Sequence, residues 1–380
     1  MTHEALWIMF GAMLPSMLVA WLATFAVRWL APRWGLLDHP GQRKVHQSPM
    51  PLGGGLAIAL GLLLPFALGQ LLLIYTMRVP AAALWLPESV RVHLPGLWER
   101  SSGLWVLLSG ATVLMIVGLV DDRRSLDWRI RLTVQFLVAA VCVLTQGWRL
   151  TAFIDLSGLS WLVSVVLSVV WIVALINSFN MLDNMDGLSA GVGAIAAGIL
   201  AAVLLTAPDP MTQRPQLFVA GFLLVLAGSL LGFLFHNSAP ARIFMGDAGS
   251  YFVGFCIAVA TLLATYAGYQ SAAPHAILAP VCVMAVPLYD MLTVLWIRLR
   301  AGQSPFAADK NHFSHRLVEL GLSKTQAVLT IYLTTATCGL GALLLHQVDA
   351  LGAFVILLIV GCVLLLIAIL ETTARRKLNE

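Results

Sequence analysis

The sequence predicts an all-α polytopic integral membrane protein, and both its composition and its pattern support that fold class. Hydrophobic residues make up 60% of the 380 positions, whereas charged residues make up only 11%. The mean hydropathy of +0.90 lies far outside the range of soluble domains. The apolar residues also form runs close to the roughly 20 residues that a helix needs to cross a bilayer. No nucleic-acid partner is expected for such a chain.

Eleven apolar runs predict about eleven transmembrane helices in a single domain spanning residues 1–380. These helices leave only loops between them, so no appended soluble domain is expected. The predicted spans lie near residues 6–30, 52–75, 103–120, 131–147, 159–177, 188–206, 216–235, 249–269, 275–297, 326–345 and 350–370.

The distribution of Lys and Arg predicts the orientation of the bundle. Seventeen of the 22 basic residues fall in loops after odd-numbered spans or in the C-terminal tail. The positive-inside rule places these segments in the cytoplasm, so the N-terminus is expected outside and the C-terminus inside. The first span has no basic segment before it, and we therefore expect it to remain as a helix.

Polar and charged residues gather in five loops that all follow odd-numbered spans. Because these loops share one membrane face, they predict a single site at the cytoplasmic edge of the bilayer. Such a site suits the joining of a soluble phosphorylated substrate to a lipid-borne one. The five loops lie near residues 32–52, 121–130, 177–188, 236–249 and 298–325.

The central cluster follows the apolar run 161–176 directly. Asn177, Asn180 and Asp183 are spaced three residues apart, so a helix would place neighbouring members one turn apart, where they could converge on one ligand. Amide and carboxylate oxygens are ligands of the kind that Mg²⁺ prefers, and Mg²⁺ usually accompanies phosphate. The alternative is that these residues cap one helix and start the next, with Gly187 at the turn.

Two other clusters contribute carboxylates. Asp121 and Asp122 end the third span, where adjacent charges repel unless a cation lies beside them. That cation could be Mg²⁺ or the neighbouring Arg123 and Arg124, in which case the segment is only a helix terminus. Asp247 precedes the eighth span beside glycines, and it could either cap that helix or bind a metal or phosphate.

The first cytoplasmic loop carries Lys44 and His46 ahead of the glycines at 53–55. Basic side chains together with the backbone N–H groups of a glycine-rich helix start suit an anion, which predicts phosphate binding. Ordinary positive-inside residues followed by a turn would give the same pattern.

The last large loop carries His312, His315 and Arg316, which could bind a diphosphate or take part in proton transfer. Solvated loop histidines are the alternative. Asp290, in the ninth span, is interpreted as a residue paired inside the bundle and is left outside the predicted site.

Together the five clusters resemble the polyprenyl-phosphate N-acetylhexosamine-1-phosphate transferases, whose superfamily includes the phospho-N-acetylmuramoyl-pentapeptide transferase. The resemblance runs from about residue 38 to 317. The loop 40–46 and the histidines after 304–306 look more like the branch that makes lipid carriers for O-antigen, teichoic acid or exopolysaccharide. The resemblance implies transfer of a sugar 1-phosphate from a UDP-sugar to undecaprenyl phosphate, with release of UMP. The first candidate for the transferred group is N-acetylglucosamine 1-phosphate.

The resemblance also implies a bacterial inner membrane location, a cytoplasmic active site and a role for each cluster. Asp247 would be a metal ligand with Asn180 as a second, in a Mg²⁺ site that Mn²⁺ could also fill. The expected partners are a UDP-N-acetylhexosamine, undecaprenyl phosphate and the bilayer, and a homodimer is compatible with the family. Asp121, Asp122 and Asp183 are expected to be catalytic. The expected substrate-binding residues are Lys44, His46, Asn177, Asp186, Phe244, His312, His315 and Arg316, with Asp186 and Phe244 at the uracil.

One departure from the family pattern leaves the donor open. Members of this branch commonly show His-x-His-His, whereas this chain has Ser314 at the third position. Another UDP-N-acetylhexosamine or UDP-MurNAc-pentapeptide is therefore an alternative donor. The mechanism is also open between direct displacement and an aspartyl-phosphate formed on Asp121 or Asp122.

Two other classes of membrane protein fit the pattern less well. A transporter would place its acidic residues near the midplane between internal repeats, whereas here they cluster at one membrane face. An intramembrane prenyltransferase would need two facing Asp-rich motifs, and this chain offers one adjacent pair, Asp121-Asp122, and the isolated Asp247.

Overall fold

The computed structural model describes residues 3–39, 49–150, 158–207, 209, 214–264, 273–306, 309 and 311–379. Within these ranges the chain is almost entirely helical, with one short antiparallel ribbon. The elements are α1 (His3–Leu30), β1 (Leu37–Asp38), β2 (Met50–Pro51), α2 (Gly54–Arg78), α3 (Pro80–Ala83), α4 (Glu88–Arg91), α5 (Leu94–Arg124), α6 (Trp128–Gln146), α7 (Gly158–Leu182), α8 (Leu188–Thr206), α9 (Leu217–Asn237), α10 (Gly246–Leu263), a 3₁₀ helix (Pro274–Leu278), α11 (Ala279–Val283), α12 (Ala285–Arg300), α13 (Phe313–Glu319), α14 (Lys324–Ala342) and α15 (Ala350–Asn379).

The predicted all-α membrane fold is confirmed, with one difference in the number of spans. Among the described residues, nine helices are long and apolar enough to cross a membrane. The segments Pro274–Val283 and Ala285–Arg300 meet at 65° and together can form a tenth span. The tenth predicted span, near 326–345, forms α14, but this helix contains Lys324, Gln326 and five threonines and is not among the nine.

Helix α10 lies at the centre of the bundle and is buried along most of its length. It packs against α5, α7 and α2. At Gly118 of α5, an added Cβ would overlap the backbone of Ala248, and at Gly55 of α2 it would overlap Gly249. Because glycine has no Cβ, the backbones of these helices can approach closely. The end of α5 and the starts of α2 and α10 are thereby brought together.

The start of α2 is also bonded to the segment that precedes α10. The N–H groups of Gly54 and Gly55 donate to the carbonyl oxygens of Phe244 and Met245, each at 3.0 Å. The first N–H groups of a helix have no partner within that helix, so these bonds satisfy two of them. Both helix starts therefore lie at the same end of the bundle.

Replacing Gly118 with alanine should force α5 and α10 apart. Overpacking of this kind should lower the free energy of unfolding by about 1–3 kcal/mol. Denaturation of the purified protein in detergent measures the change. Gly198→Ala in α8 is the matched control, because no atom lies within 4 Å of a Cβ added there. Equal stability of the two variants would contradict the close packing of α5 on α10.

Candidate active site

The start of α10 is capped by a side chain from another helix. The residue before α10, Met245, offers no side-chain hydrogen bond to the helix. Asp122, in the last turn of α5, accepts from Asp247 N at 2.8 Å and from Ala248 N at 3.3 Å. A carboxylate at this position also interacts favourably with the positive end of the helix dipole. Asp122 therefore joins α5 to the first turn of α10.

Asp121 is buried on the adjacent side of α5 and is bonded through both of its oxygens. Oδ1 accepts from Leu126 N at 2.6 Å. Oδ2 accepts from Arg131 of α6 at 3.0 Å and from the Tyr251 hydroxyl of α10 at 3.1 Å. The cation beside the aspartate pair is thus Arg131, whereas Arg123 and Arg124, which the sequence offered for this role, are exposed.

Asp247 lies within the same group of side chains, as the sequence predicted. Its Oδ1 accepts from Asn180 Nδ2 at 2.6 Å, and its Oδ2 lies 3.8 Å from Arg131 Nη1. The carboxyl groups of Asp121 and Asp247 are within hydrogen-bonding reach of each other. Asn180 and Asp247, the two expected metal ligands, are therefore in direct contact across α7 and α10.

The remaining two residues of the central cluster, Asn177 and Asp183, make contacts with different helices. Asn177 donates from Nδ2 to Gln135 Oε1 of α6 at 2.7 Å, so it joins α6 to α7. Asp183 follows the end of α7, and its carboxylate accepts from Gly246 N. Burial, together with the charge of Asp122, raises the pKa of Asp183 to about 7. Asn180 and Asp183 thus both contact the first turn of α10, whereas Asn177 contacts α6, so the structure brings two of the three residues together.

Of the two residues expected at the uracil, Phe244 lies in the segment between α9 and α10, and Asp186 binds that segment. The Asp186 carboxylate accepts from Ala241 N at 2.9 Å. Asn237 holds the same segment from inside, because its side chain accepts from Gly187 N at 3.1 Å and donates to Ile243 O at 2.9 Å. The loop after α7 and the segment before α10 are therefore fixed to each other.

The histidine loop depends on a carboxylate that the sequence interpretation left outside the site. Asp290 of α12 is fully buried; its Oδ2 lies 3.0 Å from His312 Nδ1, and its Oδ1 accepts from Phe313 N at 2.6 Å. Asp290 therefore orients the His312 ring and caps the start of α13. His315 is half-buried, and its ring centre lies 6.3 Å from that of His312.

Arg316 is buried and contacts protein groups rather than an open pocket. Its Nε lies 3.0 Å from Glu371 Oε2 of α15, and its Nη1 and Nη2 donate to Asn311 O and Thr293 Oγ1. The Tyr289 hydroxyl donates to the same Glu371 oxygen at 3.0 Å. In this structure Arg316 holds α13 against α12 and α15, and its expected part in substrate binding stays a prediction.

A second charged pair fixes the approach to this loop. Arg298, at the end of α12, donates to Asp309 at 2.9 and 3.2 Å and to Pro305 O at 2.6 Å. Burial acts to raise the pKa of Asp309, but hydrogen bonds from Arg298 and Asn311 outweigh it and lower the pKa to about 2. Asp309 is therefore ionised at any physiological pH.

Ser314, the position that departs from the family pattern, is buried and faces the loop after α7. Its hydroxyl donates to Asn184 Oδ1, while Asn184 Nδ2 donates to Met181 O at 2.8 Å. The hydroxyl of Tyr332 in α14 donates to Gly187 O in the same loop. These bonds join the histidine loop to the central cluster.

The structure brings four of the five predicted clusters together at one end of the bundle. Lys44 and His46, which belong to the first cytoplasmic loop, lie outside the described residues. Within the described part of the chain, no three His, Cys, Asp or Glu side chains form a group that could hold a metal ion. The oxygen atoms near the start of α10 that could bind a metal belong to five side chains: Asp121, Asp122, Asp183, Asp247 and Asn180.

The sequence interpretation missed several partners of these residues. Arg131, Gln135 and Glu371 are polar residues within or at the end of predicted apolar spans, where such residues are expensive unless paired. That rule could have identified them as members of internal networks. Tyr251 offered no comparable signal, because a tyrosine near a helix start is unremarkable in a membrane protein.

Comparison with known proteins gives consistent matches. The model of glycosyl transferase family 4 matches residues 104–265. A probable undecaprenyl-phosphate N-acetylglucosaminyl 1-phosphate transferase of Bacillus subtilis is 30% identical over 92% of this chain and 88% of that protein. A decaprenyl-phosphate N-acetylglucosaminephosphotransferase of Mycobacterium leprae is 35% identical over 87% of this chain and 81% of that protein. An undecaprenyl-phosphate alpha-N-acetylglucosaminyl 1-phosphate transferase of Escherichia coli K12 is 29% identical over 83% and 78%.

The bond between Ser314 and Asn184 should be measurable as a coupling between the two side chains. Ser314→Ala and Asn184→Ala should each destabilise the protein, and the double variant should lose less than the sum of the two. The coupling should be about 0.5–1.5 kcal/mol, the usual net contribution of a hydrogen bond. Denaturation of the four proteins under one detergent condition tests this expectation. Additive losses would show that the bond contributes nothing.

Proposed function

This chain belongs to glycosyl transferase family 4, and from that premise we propose that it transfers N-acetylglucosamine 1-phosphate from UDP-N-acetylglucosamine to a polyprenyl phosphate. The products are UMP and a polyprenyl-diphosphate-linked sugar, which would initiate the synthesis of a cell-envelope polysaccharide. The names of the relatives support the polyprenyl phosphate acceptor and the sugar. The UDP donor comes from the family resemblance of the sequence.

The observation that carries the proposal is the contact of Asp122 and Asn180 with the first turn of α10. Asp121 and Asp247 thereby face one guanidinium, that of Arg131, while Asn180 and Asp122 contact Asp247. The group lies at the ends of helices that can span a membrane. Both a water-soluble nucleotide sugar and a membrane lipid can reach such a position. We place this end of the bundle in the cytoplasm of a bacterial inner membrane because most basic residues lie in its loops.

The donor set supports a Mg²⁺ ion as the cofactor. Four carboxyl groups lie at this helix start, and Arg131 pairs with two of them, so acidic groups outnumber basic ones among the described residues of the cluster. Mg²⁺ is usually bound through one or two carboxylates plus substrate phosphates rather than by a complete protein cage. A cluster without a preformed metal group therefore fits an ion that arrives with the diphosphate. Asp247 and Asn180 would hold the ion, and when bound it would neutralise charge on the phosphates.

The proposed reaction is a direct displacement at phosphorus. An oxygen of the lipid phosphate forms a bond to the β-phosphorus of the nucleotide sugar. The bond from that phosphorus to the bridging oxygen breaks, and UMP leaves with the electron pair. In such a reaction positioning and charge stabilisation supply most of the acceleration. The contacts between α5, α7 and α10 would hold the side chains of the site in position for such a reaction.

Asp183 is suited to accept a proton from the attacking phosphate. Burial and the charge of Asp122 raise the pKa of Asp183 to about 7, near the pH at which the protein works. Asp121 and Asp122 are less suited to act as nucleophiles, since their oxygens already accept hydrogen bonds from Arg131, Tyr251 and backbone N–H groups. We therefore favour direct displacement over an aspartyl-phosphate intermediate.

Asp247→Asn tests the proposed role of the carboxylate. Purified protein in lipid nanodiscs is supplied with undecaprenyl phosphate, Mg²⁺ and either UDP-N-acetylglucosamine or UDP-N-acetylgalactosamine, and both UMP and the lipid product are measured. Loss of this charge should slow UMP release on the order of 100-fold or more, as for removal of a group that stabilises transition-state charge. EDTA should abolish the reaction of the unmodified protein, and Mg²⁺ should restore it.

Asp349→Asn is the matched control for this experiment. The Asp349 carboxylate accepts a hydrogen bond from Gly352 N at the start of α15, and an asparagine side chain can accept the same bond. The activity of this variant should therefore stay within about twofold of that of the unmodified protein. UMP release that does not depend on lipid, or an Asp247→Asn variant as active as the control, would contradict the proposal.

Asp290→Asn tests the positioning of His312. Asparagine can still accept from Phe313 N, but its amide group no longer fixes the His312 ring by a charge-assisted bond. Turnover per folded protein should fall about tenfold, as for other groups that orient a histidine through its second ring nitrogen. If turnover equals that of the unmodified protein, His312 does not act through this bond.

A further inference from the structure

A groove on the outer face of α5 is separate from the aspartate cluster. It has a volume of about 460 Å³ and lies between the last turns of α5 and the turn that follows α1. Trp34 and Leu36 form the wall on the α1 side. Trp34 is 40% exposed, whereas Leu36 is buried at the base. Tryptophan is enriched at membrane interfaces, which is consistent with a groove that opens to lipid.

The α5 wall of the groove is a single stripe of the helix. Ile116, Leu119, Val120, Arg123 and Arg124 follow the spacing i, i+3, i+4, i+7 and i+8, which places them on one face. The apolar members lie within the membrane-spanning helix, and the arginines lie in its last turn. The groove is therefore apolar along its length and cationic at one end. A phospholipid matches this arrangement, because its apolar acyl chain is followed by a charged phosphate.

The charge at the end of the groove is not neutralised by the described parts of the chain. Arg123 and Arg124 are exposed, and no described carboxylate forms an ion pair with either. The groove has no acidic residue in its described lining. Arg33, one residue before Trp34, is stacked 3.6 Å from the centre of the Trp29 ring and adds positive charge on the same side. This charge favours an anionic headgroup over a zwitterionic one.

The position of the stripe separates this groove from the reacting groups. Successive residues of an α-helix are rotated by about 100° around its axis. By this geometry the directions of Asp121 and Asp122 differ by about 130°, one on each side, from the direction of the middle of the stripe. Their carboxylates accordingly contact α6 and α10 rather than the groove. A phosphate held between Arg123 and Arg124 lies on the opposite face of α5 from Asp247. The occupant is therefore a lipid of the surrounding bilayer and not the reacting acceptor.

We propose that this groove binds an anionic phospholipid, with its phosphate at Arg123 and Arg124 and one acyl chain along Ile116, Leu119 and Val120. The site is independent of the transferase activity proposed above. A bound lipid would fill the space between α1 and α5 on the face opposite Asp121 and Asp122. It would also anchor this end of the bundle to a membrane surface rich in anionic lipid.

Native mass spectrometry of the full chain in detergent tests the proposal, with phosphatidylglycerol and phosphatidylcholine of identical acyl chains as probes. The unmodified protein should retain phosphatidylglycerol in preference to phosphatidylcholine. The double variant Arg123→Gln, Arg124→Gln should bind phosphatidylglycerol about 30-fold more weakly, as expected for the loss of two cationic contacts. Ile116→Trp should weaken binding as well, because it fills the groove and leaves the charge unchanged.

The matched control is Arg78→Gln, Arg91→Gln, which removes the same charge at the end of α2 and in α4, away from the groove. This variant should bind like the unmodified protein. Equal binding of the two phospholipids would overturn the proposal, as would unchanged binding by the Arg123 and Arg124 variant. Undecaprenyl phosphate is added as a competitor. If it displaces phosphatidylglycerol from the unmodified protein at equal concentration, the groove belongs to the acceptor and the proposal fails.

Discussion

The hydrogen bonds from the first turn of α10 to Asp122 are the contact on which the rest of the site depends. Helix α10 has no cap of its own, and a helix start within a membrane protein must find partners for its free N–H groups. The Asp122 carboxylate supplies them from α5. Because Gly118 lets the two helices approach closely, the same contact sets the position of Asp247 relative to Asp121 and Arg131.

The histidine loop is held in place by side chains from other helices. Its helix α13 is short, so its position depends on side chains from other helices rather than on its own stability. Asp290, Glu371 and Asn184 bind it from α12, α15 and the loop after α7. Buried polar pairs of this kind are costly to separate, because each would leave an unpaired group in an apolar environment. The loop is therefore fixed against the aspartate cluster.

Helix α5 serves two environments with two faces. Its inner face carries small residues and the aspartate pair, which contact α6 and α10. Its outer face carries apolar residues that end in two arginines, and it lines the groove beside the turn after α1. The last turn of this helix can therefore join a charged site to a membrane surface, since successive residues point in different directions around the axis.

The family and the helical membrane fold were both predictable from the sequence and are confirmed, and four of the five predicted clusters do meet at one end of the bundle. Hydropathy and the spacing of basic residues are local properties, so they can be interpreted without knowing which helices are neighbours. The pairing of Asn180 with Asp247 was predicted as shared metal ligation, and the structure shows the two side chains in contact.

The remaining assignments needed the tertiary structure. The sequence could not indicate that Asp121 binds Arg131 and Tyr251, that Asn177 faces Gln135, or that Asp290 orients His312. Asn177 and Gln135 are 42 residues apart and Asp121 and Tyr251 are 130 apart, and the choice among several available polar groups depends on how the helices pack. The sequence by itself determined the membrane-spanning pattern and the chemistry available at one face. Only the packing of α5, α7 and α10 decided which of those groups bind each other, because close helix contacts depend on residues distant in the chain.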